Sequence, residues 1–143
     1  MRETMIQLAA AFFGALGFAE LFGMRRRYLL PSSLGGLLAW GVYLLLAERF
    51  GGFAACLAAA AFGVLYAEAL ARIYKTPATL FLIPTVIPLV PGGALYYSMD
   101  SAVRGDLEMA RVYGSQTLNT ALAIAAGMSF ALAIRELRTR RIE

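Results

Sequence analysis

Pro84, Pro88, Pro91, Gly92 and Gly93 fall within ten positions of an uncharged stretch that runs from residue 76 to 99. The stretch is long enough to cross a bilayer, yet its middle cannot continue as a regular helix. A proline inside a helix lacks the N–H that bonds four residues back, and its ring clashes with that carbonyl. The carbonyls of Leu80, Pro84 and Ile87 are therefore disturbed. Facing lipid, each unsatisfied group would cost several kcal/mol, so a broken span belongs inside protein or beside a watery cavity. If the chain unwinds over 88–93, a second half-helix starts near Gly93 with free N–H groups at its positive end. Such an end favours an anion by about 0.3–1 kcal/mol, and by up to about 2 kcal/mol when partly buried. The matching ligand is a small carboxylate, with Tyr96 placed three residues on to close over it. A merely kinked structural helix is the simpler alternative. Three prolines and two glycines together favour the solute path.

Two further positions could take part. Glu68 stands four residues before Arg72, so the two can pair on one helix face. An acid within an apolar block defaults to a functional hypothesis such as proton coupling, but this one is a turn from a basic boundary and could equally anchor it. In the last block Gln116, Asn119, Thr120, Ala123 and Gly127 form a small, polar stripe at helical spacing. Asn119 could hold a substrate or tie the broken carbonyls. Most of the aromatics, Trp40 and Tyr43 among them, read as interfacial belts or packing. Histidine is absent and Cys56 is the single cysteine. No metal set, cofactor site, disulfide or hydrolytic constellation can be assembled from such an inventory, and no nucleotide-binding loop is present. Cys56 reads as a small packing residue, and an enzyme is the least favoured class.

The elements that must position these residues are apolar helices. Sixty per cent of the 143 residues are hydrophobic, only 15% are charged, and mean hydropathy is +0.68. Soluble domains carry about 25% charged residues. About 20 apolar residues span the hydrocarbon core, and five blocks reach that length: about 5–24, 29–47, 52–71, 76–100 and 112–134, the fourth broken. The fold predicted is an all-α integral membrane protein, a single transmembrane domain over 1–143. Glu3 and a triple arginine argue against a cleaved signal for the first block. Small residues (Ala10, Gly14 and Gly17 in the first block, Ala54 to Ala61 in the third) suit close helix contact in lipid. The net charge of +4 comes from basic residues between blocks, not from a nucleic-acid face. Nine of the thirteen (Arg25, Arg26, Arg27, Arg72, Lys75, Arg135, Arg138, Arg140 and Arg141) share one side if there are five crossings. That side is then cytoplasmic and the N-terminus lies outside.

The run from Ala67-Glu68 through Arg72, then Lys75-Thr76-Pro77, Ile83-Pro84 and Ile87 to Tyr96, resembles the threonine/serine exporter family. The likeness is to its small component, equivalent to the C-terminal membrane half of the fused exporters. Gly17 to Phe22 fits the same family. The resemblance implies a secondary exporter in a bacterial inner membrane, moving threonine- or serine-type amino acids or succinate-type dicarboxylates. It also implies a larger membrane subunit as partner, with oligomerisation open. A non-transporting subunit that supports such a partner is the alternative.

Overall fold

The computed structural model describes residues 2–140, and the side chains of 2–137. Arg138, Arg140 and Arg141, counted above in the basic excess, lie outside the described side chains. Every element among the described residues is helical: α1 (Arg2–Leu21), α2 (Arg26–Tyr74), α3 (Thr79–Val86), a 3-10 turn (Ile87–Leu89), α4 (Gly92–Val103) and α5 (Leu107–Arg140). Long apolar helices without strands make this an all-α membrane protein.

Helix α2 has 49 residues and, if straight, would run about 70 Å, over twice the ~30 Å hydrocarbon core. It does not run straight. Gly51 breaks it with φ 81° and ψ 165°, a conformation that side-chain-bearing residues rarely adopt. The limb 26–50 thereby turns back against the limb 52–74. The Tyr66 hydroxyl donates to the Pro31 carbonyl at 2.8 Å, and Ala39 packs with Ala59 and Ala60. The contacts run antiparallel, as in a helical hairpin.

Small residues let these helices approach. Ala11, Ala15 and Ala19 recur every four positions along α1 and are buried. A Cβ on Gly36 would stand 2.6 Å from that of Ala15. Ala55, Ala59, Ala60, Gly63 and Ala67 line the second limb of α2. On α5, Ala123, Gly127 and Ala131 are buried at the same spacing, and a Cβ on Gly127 would run into the Leu57 carbonyl. Leucine-on-leucine contact gains little over leucine-on-lipid, so close backbone approach supplies the adhesion. Gly14 and Gly17 behave differently: a Cβ on either would meet nothing within 4 Å, so they stand outside the α1 seam. The outer faces carry exposed Phe13, Leu45, Leu118, Leu122 and Phe130, suited to lipid or a partner surface.

Between α2 and α5 runs the interrupted span. Thr79–Leu89 and Gly92–Val103 meet at a 52° bend. By helical rise, each half is about 18 Å long, so the bend falls near the middle of the pair. Tyr28, Tyr74 and Phe81 pack edge-on or tilted rings, 5.4–5.7 Å apart, at the start of α3. Arg27 lies over the Tyr28 ring at 4.7 Å.

Candidate functional site

The break is built by its prolines. Pro84 lies within α3, and Pro88 sits at the start of the 3-10 turn, where its missing N–H costs little. Pro91 deprives the Ile87 carbonyl of its helical donor. The Val90 N–H takes that role instead at 3.1 Å, tightening the turn. Val90 is then extended (φ −63°, ψ 127°), and Pro91 occupies the N-cap of α4 without a side-chain hydrogen bond. Helix α4 starts at Gly92, one residue earlier than the sequence suggested. Gly92 N–H bonds the Val90 carbonyl at 2.8 Å and Leu95 N–H bonds that of Pro91 at 3.0 Å. The N–H groups of Gly93 and Ala94 are among the first-turn donors that a helix leaves unpaired.

A cavity of about 390 Å³ opens beside this turn. One wall is the break itself, Pro88 to Pro91 with Ala94. The second is α2, through Trp40, Tyr43, Phe53 and Cys56. The third is α5, through Gln116, Asn119 and Thr120. Its lining among the described residues holds amide, hydroxyl, aromatic and backbone groups, and no charged side chain. The Trp40 and Tyr43 rings stack with centroids 4.9 Å apart, and Trp40 Nε1 donates to Gln7 Oε1 on α1 at 3.4 Å. Trp40 and Pro88 also border a second space of about 250 Å³ against α1. Cys56, 2% exposed, belongs equally to the core.

The sequence-derived residues are not all brought to one place. Pro88, Pro91 and Asn119 line the cavity. Pro84 lies deeper, fully buried in the bundle. Gly92 and Gly93 are exposed at its edge, with nothing within 4 Å of a Cβ on either. Tyr96 is 65% exposed and packs on Tyr97 with ring centroids 5.5 Å apart. It is not among the residues that line the cavity. Trp40 and Tyr43, read from sequence as belt or packing residues, supply the aromatic wall. Trp40 lies midway along its block, too deep for a belt, and that depth was the available signal.

Glu68 and Arg72 lie at the other end of the bundle, around a cavity of about 270 Å³. The cation that reaches Glu68 is not the expected Arg72. It is Arg135 of α5, whose Nη1 lies 3.0 Å from Glu68 Oε1. The carboxylate faces across to α5, while Arg72 is a further turn out and exposed. A five-crossing count puts positions 68 and 135 at the same boundary, so this pairing was within reach.

Buried small-residue seams and long apolar helices with apolar outer faces mark a multi-pass membrane protein. The family profile described as "Threonine/Serine exporter, ThrE" matches residues 7–134. The chain belongs to that family, and membership gives it an exporter-type transport role. No curated protein and no solved structure matches the chain.

Proposed function

We infer that this chain is a membrane subunit of a secondary exporter for threonine- and serine-type amino acids, with the cavity at the broken span as a substrate station. The single observation that supports it most is the interrupted helix opening on a 390 Å³ cavity. The substrate carboxylate meets the first-turn N–H groups of α4 with Asn119. Its ammonium meets the electron-rich faces of Trp40 and Tyr43, since cations are drawn to aromatic faces. A lining without cationic side chains favours one carboxylate over two, and so amino acids over succinate-type dicarboxylates.

The chain crosses a bacterial inner membrane five times, N-terminus outside and C-terminus in the cytoplasm, with Gly51 at an outer turn. A larger membrane subunit of the same family completes the path, and the exposed apolar faces of α1, α4 and α5 suit its docking. Export proceeds by alternating access. Glu68 is the candidate for proton coupling, and Glu68→Gln should then flatten the pH dependence of efflux.

The test is efflux of labelled threonine, serine and succinate from vesicles, with and without Trp40→Ala and Asn119→Ala. Amino-acid efflux that both substitutions cut severalfold is the expected result. Undiminished efflux in both would remove the cavity from the path and favour a supporting role for this chain.

A further inference from the structure

Two buried oxygens, Glu68 Oε1 and Thr76 Oγ1, lack a hydrogen-bond partner among the described residues, and both residues line the 270 Å³ cavity at the basic end of the bundle. Glu68 Oε1 does have Arg135 Nη1 at 3.0 Å, but without the alignment of a hydrogen bond. The contact is one of charge. Buried polar atoms are nearly always satisfied in folded proteins, so the unpaired Thr76 hydroxyl beside a carboxylate held only by an ion pair requires an explanation. The remaining lining is also chemical in character. Arg135 comes from α5 and Arg72 from α2, and Ala71 and Ala78 leave room between them. One carboxylate, two guanidinium groups and a hydroxyl thus surround a space smaller than the roughly 300–1,000 Å³ of drug-sized pockets.

We propose that this cavity is a second binding station, which takes a zwitterionic hydroxy-amino acid at the basic mouth of the path. The Glu68 carboxylate receives the ammonium. Arg135 and Arg72 hold the carboxylate, as guanidinium groups do in paired geometry. Thr76 Oγ1 hydrogen-bonds the substrate side-chain hydroxyl, which makes Thr76 a specificity-determining residue. The two stations lie on opposite sides of the seam formed by Ala59, Ala60 and Gly63, where α2 closes on α3 and α5. Along α2, Cys56 and Glu68 are about 18 Å apart. A solute held between Glu68 and Arg135 would also loosen their mutual contact, and with it the tie between α2 and α5. The inference rests on the transport reading above, but not on the Trp40 cavity.

Competition against labelled L-threonine efflux, in vesicles carrying the intact exporter, tests it. L-valine is the informative competitor, because it replaces the hydroxyl by a methyl at nearly constant shape. Thr76→Val should cut threonine's advantage over valine by about fivefold, the weight of one neutral hydrogen bond. Glu68→Gln and Arg135→Gln should each weaken threonine by roughly tenfold or more, as befits charged hydrogen bonds. The exchange Glu68→Arg with Arg135→Glu separates a binding site from a plain interhelical tie, since it restores the pair but reverses the charges. An unchanged threonine-to-valine ratio in Thr76→Val, or full recovery in the exchanged protein, overturns the assignment. If the unsubstituted protein moves no threonine, the transport reading fails first. If Trp40→Ala impairs efflux while all these variants behave as the parent, only the second station fails.

Discussion

The two halves of the interrupted span have opposite surroundings. In α3 and the 3-10 turn, Phe81, Pro84, Thr85, Val86 and Leu89 are buried. In α4 no residue is buried. The first half is held in a cradle: a Cβ on Gly35 would meet Thr85 Oγ1 and the Tyr66 ring, and one on Gly63 would lie 3.3 Å from Thr85 Cγ2. The Thr85 hydroxyl donates to the Phe81 carbonyl at 2.7 Å, so even its polar group is satisfied within the segment. Among the described residues the second half leans chiefly on α5, where Ser98 Oγ donates to the Ala110 carbonyl at 2.9 Å. A fixed half and a lightly held half, joined at a non-helical turn, form an arrangement suited to moving one against the other.

This contrast can be broken or sharpened by substitution. The largest effect belongs to the cradle. Gly35→Val should lower stability by about 1–3 kcal/mol or more, as overpacking does in tight cores, and thermal unfolding in detergent would register it. Next comes the start of α4. Gly93→Leu projects into open space, so melting should stay that of the parent, while efflux falls about tenfold as the helix end is screened from solute. A matching drop in melting temperature would mean that α4 is not the lightly held half. Tyr96→Phe should move efflux less than twofold, since the ring packs on Tyr97 outside the cavity; a larger loss would restore the covering role expected of it. Smallest is Arg104→Gln. It removes a contact of 3.1 Å to Asp100 in which the arginine is 75% exposed, worth about 0.5 kcal/mol or less.

Much of this arrangement was legible in the residues alone, for reasons of covalent chemistry. A proline lacks its N–H in any context, so a break beginning near Pro88 and the start of a second half-helix, within one residue, follow locally. The apolar blocks and the alanine-rich seam are equally local. What escaped was set by tertiary contact. Arg72 is the nearest cation to Glu68 in sequence, yet α5 brings Arg135 closer. Gly14 and Gly17 carry the same small-residue signature as the α1 alanines, and only packing shows which face is used.

The account depends most on water and solute reaching the start of α4 midway through the bilayer. Gly93→Cys in a Cys56→Ser background, probed with a charged, membrane-impermeant thiol reagent, measures that directly, with Leu122→Cys as the lipid-facing control. Rapid modification at position 93, slowed by saturating threonine and absent at position 122, is the result predicted. Equal inertness at both positions would contradict the account.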